Sequence, residues 1–148
     1  MDGLALAYGD FPLGLSEQLR PLVHERGGEL EVRFMRRARV PLLPVWHCGQ
    51  LRTVQWGSSS GRLPKSGLTW QRTIDDGGWV PYRAESIEIR ASLGLDGGVW
   101  YRIRQGIRGL LVETPQETAA YLVVEPASYY YRVMTRRESM PVLIGERI

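Results

Sequence analysis

Apolar and polar residues alternate in short stretches along most of the chain from residue 30 onward. Alternation residue by residue is the period of a strand with one buried face, so each stretch predicts a short β-strand. Asp-Gly-Gly and Gln-Gly steps separate several of the stretches, as in antiparallel hairpins. The predicted strands are residues 30–36, 42–46, 50–56, 86–91, 99–104, 107–112, 120–125 and 140–144, with 68–74 as a further strand or a tight excursion.

Helical patterns are scarce in the sequence. Ser16 is placed to cap a helix over residues 16–26, and the Gly-Gly pair that follows would end it. Pro126 suits the first turn of a second short helix that runs to about residue 135. The chain therefore predicts a mainly β (α+β) fold, an antiparallel, open-barrel-like sheet with one or two short helices attached. No repeat or composition break divides residues 1–148, so a single domain is expected.

The composition narrows the class of protein. No apolar run approaches the length that crosses a bilayer, and the first residues lack the pattern of a secretory signal, so no membrane partner is expected. A single cysteine, Cys48, excludes an internal disulfide and is typical of the reducing cytoplasm. With His24 and His47 as the only histidines, no zinc-ligand spacing exists, and neither a metal nor a cofactor is predicted.

Positive charge is carried almost entirely by arginine, because Lys65 is the only lysine. Residues 1–31 hold two arginines against six acidic side chains, a net charge of −4, which leaves +7 for the remainder of a chain whose total is +3. Arginine forks bind phosphate and carboxylate through paired hydrogen bonds and stack on aromatic rings. A basic body behind an acidic segment indicates an anionic partner, of which nucleic acid is the commonest.

The glycine-rich and serine-rich stretch 57–67 superficially resembles a phosphate-binding loop. Pro64 stands directly before Lys65, where such a loop requires glycine, and no helix pattern follows. A flexible surface loop is therefore the interpretation that the composition favours. Asp75 and Asp76 are candidate paired acids, but the glycines behind them are typical of a turn.

His47 and Cys48 supply a base and a nucleophile side by side. They also fall in the predicted hairpin turn, where no third residue is identifiable to orient the histidine. A divergent hydrolase that uses this pair, or a carboxylate such as Asp96, therefore stays open as an alternative function. A non-catalytic protein-interaction module is a third alternative, because three consecutive tyrosines, 129–131, cannot all face one side of a helix.

The predicted strand 99–104 combines aromatic and basic residues on one face. Alternation places Trp100, Arg102 and Arg104 together, which suits the stacking of bases and the binding of phosphates of a single strand. Arg52 shares a strand face in the same way with Trp56. The alternative is that the tryptophans belong to the core and the arginines to its solvated rim. A second basic cluster consists of Arg33, Arg36, Arg37 and Arg39.

Several segments occur in the order of one known family. They are Leu43-Pro44-Val45, Gly49-Gln50-Leu51-Arg52, Gln55-Trp56-Gly57, Ile89-Arg90-Ala91, Gly94-Leu95, Trp100-Tyr101 and Met140-Pro141-Val142-Leu143-Ile144. With these segments the chain resembles a divergent SOS response-associated peptidase (SRAP) domain from about residue 40 to residue 144. The resemblance implies an open barrel with a basic groove for single-stranded or damaged DNA, and a cysteine after the initiator methionine that links covalently to abasic sites.

The chain departs from that family at its reactive positions. Asp2 stands in place of the cysteine, and Arg137 in place of the histidine before the Met-Pro step. Arg72 is kept in a loop without its asparagine and glutamate, and Asp96 is the carboxylate nearest to the position of the catalytic glutamate. The prediction is therefore a protein of the DNA-damage response that binds DNA without the cysteine chemistry. The predicted groove residues are Arg52, Arg72, Trp100, Arg102, Arg104, Arg136 and Arg137.

Overall fold

The computed structural model describes residues 1–12 and 14–148, which form twelve strands and two short α-helices. The mainly β prediction is confirmed. The strands are β1 (Gly3–Ala7), β2 (Val23–Arg26), β3 (Glu29–Met35), β4 (Leu42–His47), β5 (Gln50–Trp56), β6 (Leu68–Trp70), β7 (Glu85–Arg90), β8 (Leu93–Asp96), β9 (Val99–Arg102), β10 (Gly106–Glu113), β11 (Thr118–Pro126) and β12 (Ser139–Pro141). The helices are α1 (Gln71–Asp75) and α2 (Tyr129–Thr135).

Five strands form a closed barrel in the order β10-β7-β4-β5-β11, which closes because β11 also pairs with β10. All of these pairings are antiparallel except that of β11 with β5, so the barrel is mixed as well as closed. Strands β6 and β12 extend it by pairing with β11. Closure follows from contacts between distant parts of the chain, which local alternation does not reveal.

Inward-facing side chains fill the barrel in cross-strand rows. Val45 lies opposite Ile89, which lies opposite Ile107, and all three are fully buried. Gly109 leaves room for this row, because a Cβ there would lie 2.6 Å from the Ile89 side chain. Burial of each such side chain contributes roughly 1.5–3 kcal/mol to folding. The barrel interior is therefore a packed core and not a channel.

The remaining strands form an antiparallel sheet in the order β2-β3-β1-β8-β9. Its inner face packs on the barrel, so Leu4, Phe34 and Tyr101 belong to the same core as the barrel residues. Residues 91–92 lead from β7 into this sheet and residues 103–105 lead back from β9 to β10. These two segments cross between the sheets side by side, because β7 and β10 are paired neighbours in the barrel.

Several elements differ from the sequence predictions. Residues 16–26 form a 3-10 turn at Arg20–Leu22 and strand β2 instead of a helix, because β2 pairs with β3. Pro126 is the last residue of β11, and α2 begins behind the capping hydroxyl of Ser128. Strands β1 and β8 were not predicted, since Gly-Leu-Ala-Leu-Ala and Leu-Gly-Leu-Asp lack a clear polar alternation.

The stretch 57–67 is fastened to the barrel at several points. The Tyr121 hydroxyl donates to the carbonyl of Pro64 at 2.7 Å, and Trp56 Nε1 donates to the carbonyl of Gly67 at 3.0 Å. Arg36 donates to the carbonyl of Lys65 at 2.9 Å. Burial raises the pKa of Tyr121 to about 12, so its hydroxyl stays a donor at neutral pH. The segment is the irregular surface loop expected from composition, and these bonds attach its end, residues 64–67, to the rest of the structure. The segment leads into strand β6, not into a phosphate-binding helix.

Neither helix in the described part of the chain has the length and apolar character required to cross a membrane.

Candidate nucleic-acid interface

A cleft of about 550 Å³ opens where the two sheets are joined by the crossing segments. Ligand sites in proteins commonly have volumes of roughly 300–1,000 Å³, so this cleft is large enough for a small molecule or part of a polymer. Among the described residues its lining includes three arginines and a single acidic side chain. The lining residues are Leu6, Asp10, Trp46, Leu51, Arg90, Ala91, Ser92, Arg102, Ile103, Arg104 and Gln105.

Trp46 supplies the aromatic surface of the cleft. Strand alternation turns Val45 into the barrel and Trp46 outward, and Trp46 remains 40% exposed. The guanidinium of Arg90 lies 4.6 Å from the centre of the Trp46 ring, which is the distance of a cation–π contact. Leu51 lies directly across the hairpin from Trp46 and continues the apolar wall. One wall of the cleft is thus an indole bordered by a cation.

The guanidinium of Arg90 uses only part of its hydrogen-bonding capacity within the described structure. Its NH1 lies 3.3 Å from the carboxylate of Glu88, but its Nε is buried and has no hydrogen-bond partner in the described structure. A buried donor without a partner costs about 1–3 kcal/mol. The side chain as a whole is 36% exposed at the cleft, so its terminal guanidinium nitrogens are open to an anionic ligand, which makes Arg90 a candidate binding residue.

Arg102 and Arg104 also line the cleft, and both are exposed. Ile103 between them is buried, so alternation directs both guanidinium groups toward solvent. The backbone N–H of Arg104 donates to the carboxylate of Glu146 at 2.8 Å, which holds this crossing segment in place. Arg102 and Arg104 are thereby the two predicted groove residues that the structure brings together with the cleft.

Trp100, the aromatic residue predicted for the groove, is half-buried on the outer face of the smaller sheet. The guanidinium groups of Arg26 and Arg33 lie 4.5 and 5.4 Å from its ring centre. Both arginines also bond to Glu31. Partial burial would raise the pKa of Glu31, but the hydrogen bonds from these two arginines outweigh it and hold that pKa below its usual value. Two guanidinium groups therefore already lie over the Trp100 ring, where a stacked base would bind.

The next three predicted groove residues do not line the cleft. Arg52 donates to Glu113 at 2.7 Å, which lowers the pKa of that exposed carboxyl. Arg72, in helix α1, places its guanidinium 4.6 Å from the centre of the Trp70 ring, at the end of β6. Arg136 is exposed just after α2, where its φ of 60° places it in the left-handed conformation that ends the helix. Arg52 and Arg72 each contact a neighbouring side chain, and the structure does not bring the three arginines together in one groove.

Arg137 and Asp96, in contrast, come together with residue 2. Arg137 lies 3.2 Å from the carboxylate of Asp2 and 3.2 Å from that of Asp96. The attraction of Asp2, followed by that of Asp96, raises the pKa of Arg137. The amino nitrogen of Met1 also lies 3.2 Å from Asp96, whose side chain is 1% exposed. The cluster joins β1, β8 and the segment after α2.

Two buried tyrosines complete that cluster. The hydroxyl of Tyr131 donates to Asp96 at 2.7 Å and lies 3.1 Å from the hydroxyl of Tyr101. Burial is the main cause that raises the pKa of both hydroxyls well above the ordinary tyrosine value, so both stay protonated at neutral pH. Asp96 is thus enclosed by its partners. This arrangement fits a structural ionic core better than a carboxylate that meets a substrate.

His47 and Cys48 lie close together at one mouth of the barrel, but the hydrogen bonds of His47 do not leave a ring nitrogen free to accept the thiol proton. Arg52 lies opposite Val45 on the inward face and donates to His47 Nδ1 at 3.1 Å. Since arginine can only donate, the neutral ring carries its proton on Nε2. Nε2 lies 3.2 Å from the Glu85 carboxylate, to which it donates, and 3.6 Å from the Cys48 sulfur. This nitrogen has no free lone pair for the thiol proton, so the geometry does not activate Cys48.

The tyrosine run divides between core and surface. Tyr131 is fully buried, whereas Tyr129 and Tyr130 are 79% and 65% exposed. Val133 on the same helix is also exposed, so α2 presents a small apolar surface. Nothing in the described structure covers this surface or indicates its partner.

Sequence reasoning missed Trp46 and Arg90 as cleft residues. The alternation of Ile87, Glu88, Ile89 and Arg90 does place Arg90 on an outer face, which is a usable signal. Their meeting with Arg102 and Arg104 depends on the crossing of the chain between the two sheets, for which the sequence contains no local signal.

The chain matches no protein-family model, no curated protein and no solved structure. The SRAP resemblance thus stays a prediction, and the arginine-lined cleft with its exposed indole is the feature on which a functional proposal rests.

Proposed function

We propose that this protein binds single-stranded or damaged DNA, with part of the strand seated in the cleft between the sheets. One observation carries the proposal: Arg90, Arg102 and Arg104 line the same cleft as the exposed ring of Trp46, and Arg90 lies over that ring. Proteins that hold single strands combine such cations for the phosphates with aromatic rings for the bases. The resemblance to SRAP domains favours DNA over other anionic polymers.

In this proposal the residues of the cleft have separate roles. A base packs on the exposed part of Trp46, and the neighbouring phosphates bind Arg102 and Arg104. Arg90, whose side chain is 36% exposed, donates from its terminal nitrogens to an acceptor on the strand. The volume of about 550 Å³ suits one or two unpaired nucleotides. A base that is already paired and stacked in a duplex cannot offer its face to the indole, so duplex DNA should bind more weakly.

The proposal leaves out the cysteine chemistry of SRAP domains. Asp2 is an ion-pair partner of Arg137, and its carboxylate also accepts a hydrogen bond from the backbone N–H of Gly97 at 2.9 Å. A carboxylate in that position has no thiol to close a ring on an aldehyde. Binding without covalent linkage is therefore the activity we infer, and an abasic site would be held no more permanently than an intact strand.

Fluorescence anisotropy with a labelled oligothymidine, titrated over a range of salt concentrations, tests the proposal. Each phosphate contact to a single strand contributes about 0.7 to the slope of log affinity against log salt. Replacing Arg102 and Arg104 together by glutamine should weaken binding and reduce the slope by about 1.4. Undetectable affinity at low salt, or affinity that does not respond to salt, would overturn the proposal.

A matched control separates the cleft from overall charge. Arg20 and Arg62 are exposed, lie outside the cleft lining, and have no ion pair within the described structure. The double change Arg20→Gln and Arg62→Gln removes the same charge as the cleft variant. It should leave the affinity near that of the unchanged protein. Equal losses in both double variants would show a general charge effect instead of a site.

A further inference from the structure

The outer face of the smaller sheet carries a second cluster, made of Arg26, Arg33, Glu31 and Trp100. Arg26 donates to the two carboxylate oxygens of Glu31 at 2.7 and 3.1 Å, and Arg33 donates to one of them at 2.8 Å. Both guanidinium groups also lie over the Trp100 ring. Two arginine forks and an indole are thereby arranged around one carboxylate.

Small side chains in the centre of the sheet make this arrangement possible. Trp100 lies on an edge strand and Arg26 on the opposite edge strand, with three strands between them. Gly3 and Ala5 occupy the central strand on the face that the cluster covers, where Ala5 pairs with Arg33. A Cβ on Gly3 would lie 2.7 Å from the Met35 sulfur, so the surface there is closely filled. The curled sheet can bring its two edges together above these small residues.

Glu31 holds the position that an anionic ligand would take. Its side chain is 9% exposed, while those of Arg26 and Arg33 are 36% and 26% exposed. The arginines can therefore reach solvent, and their charge exceeds that of the carboxylate by one. A phosphate group accepts the same fork geometry as a carboxylate and carries more acceptor oxygens. A phosphate that enters between the two forks would compete directly with Glu31.

Arg102 connects this cluster with the cleft. Arg33 pairs with Ala5, Ala5 with Leu93, and Leu93 with Arg102, so these residues form one row across the sheet on the same face. Arg102 is at the same time part of the cleft lining. A strand that leaves the cleft past Arg102 would next meet Arg33 and Trp100.

We propose that Arg26, Arg33 and Trp100 form a second phosphate site for the same DNA strand, and that Glu31 closes it as an internal competitor. This inference rests on the proposed function for the identity of the ligand, whereas the capture of a phosphate group can be measured without DNA. Displacement of Glu31 releases the two forks to a phosphate beside the ring of Trp100.

The decisive variants change Glu31 alone. Glu31→Gln removes the competing charge, and Glu31→Asp keeps the net charge but shortens the side chain so that it no longer reaches both forks. Glu29→Gln is the matched control, because Glu29 is exposed on the same strand and has no ion pair in the part of the chain that the structure describes. Inorganic phosphate is the first ligand, with binding followed by the rise in melting temperature that it produces.

We expect Glu31→Gln to bind phosphate about tenfold more tightly than the unchanged protein, and Glu31→Asp to gain part of that factor. The phosphate affinity of Glu29→Gln should rise only by the small amount that the loss of one negative charge causes. Circular dichroism of each variant checks the fold, and Glu31→Asp, the more conservative change, keeps the test valid if Glu31→Gln does not fold. Equal phosphate affinity in Glu31→Asp and the unchanged protein would overturn the proposal.

Oligothymidines of two lengths separate this inference from the proposed function. A dinucleotide can occupy only one of the two sites at a time, whereas an oligonucleotide of about eight residues reaches both, so Glu31→Gln should raise the affinity of the longer strand by the larger factor. A gain for phosphate without binding of any oligonucleotide would refute the proposed function and leave the second site intact. Oligonucleotide binding with no gain at either length would refute the second site alone.

Discussion

The guanidinium of Arg90 lies 4.6 Å from the centre of the Trp46 ring at the edge of the cleft, and its buried Nε has no hydrogen-bond partner in the described structure. The two residues come from strands β4 and β7, which pair through the neighbouring residues Val45 and Ile89. The contact therefore places a cation and an exposed aromatic ring on one rigid wall. It is the feature that distinguishes the cleft from an ordinary groove between two sheets.

Truncation of Trp46 should weaken DNA binding without unfolding the protein. Base stacking on an aromatic ring contributes about 1–3 kcal/mol per base, so Trp46→Leu should lose roughly that much binding free energy. Trp46→Phe keeps a ring and should retain part of the affinity. Anisotropy titration with oligothymidine measures both. An unchanged affinity of Trp46→Leu would remove Trp46 from the interface.

Replacement of Arg137 should reduce stability more than DNA affinity. Its side chain is 47% exposed and pairs with Asp2 and the buried Asp96. Loss of a partner from a buried charge costs 3–5 kcal/mol when both groups are buried, and solvent screening lowers the expected loss for Arg137→Gln to about 1–2 kcal/mol. Urea denaturation measures this.

Arg136→Gln is the control for that change, because Arg136 is the adjacent exposed arginine and has no ion pair in the described part of the chain. Its free energy of unfolding should stay within about 0.5 kcal/mol of the unchanged protein. If Arg137→Gln lost DNA affinity and kept full stability, Arg137 would belong to the groove, as its sequence position suggested.

Tyr131→Phe should destabilise the protein by leaving Asp96 without its 2.7 Å hydrogen bond. A buried acceptor that loses its partner costs about 1–3 kcal/mol. Tyr101→Phe should cost less, because Tyr101 bonds to Tyr131 and not to the carboxylate. Urea denaturation of the two variants gives the comparison, and a larger loss in Tyr101→Phe would contradict this view of the cluster.

The same hydroxyls predict a loss of stability in alkali. The pKa of Tyr131 is raised above the unfolded value of 10.0, so the folded state holds the proton more tightly. This contribution is complete below the unfolded pKa and declines as pH rises above it. Melting temperatures measured from neutral pH upward should therefore fall beyond about pH 10, and Tyr131→Phe should flatten that fall. An equal slope in the variant would refute the assignment.

Cys48 should behave as an ordinary exposed thiol. His47 carries its proton on the nitrogen nearest the sulfur and cannot accept the thiol proton, so His47→Gln should leave the rate of alkylation by iodoacetamide near neutral pH unchanged. Arg52→Gln frees Nδ1 and should also permit the other tautomer. A markedly slower alkylation of Cys48 in His47→Gln would contradict this prediction and support the hydrolase alternative.

Local sequence patterns predicted the strands of the barrel well, because a strand with one buried and one exposed face alternates apolar and polar residues. They failed for residues 16–26, where pairing with β3 overrides the helical pattern. They also failed for β1, whose outer positions Gly3, Ala5 and Ala7 are small instead of polar. Gly3 and Ala5 are nevertheless buried, while Ala7 is exposed, and the local sequence does not reveal that burial.

The candidate site was predictable only in part. The outward direction of Arg102 and Arg104 follows from alternation around the buried Ile103. The assignment of Trp100 to an open platform did not anticipate Arg26 and Arg33, which come from the opposite edge of the sheet. The sequence cannot show such contacts, since they depend on the curvature of a sheet built from segments far apart in the chain.

The crossing of the chain between the sheets has a mechanical consequence. Strands β7 and β10 are direct neighbours, so the hairpin β8–β9 leaves the barrel and returns to it at a single point. The cleft lies at that point, and its walls belong to both sheets. A strand of DNA seated there would hold the two sheets together at the point where the chain crosses between them, so tight binding and resistance to unfolding should rise together.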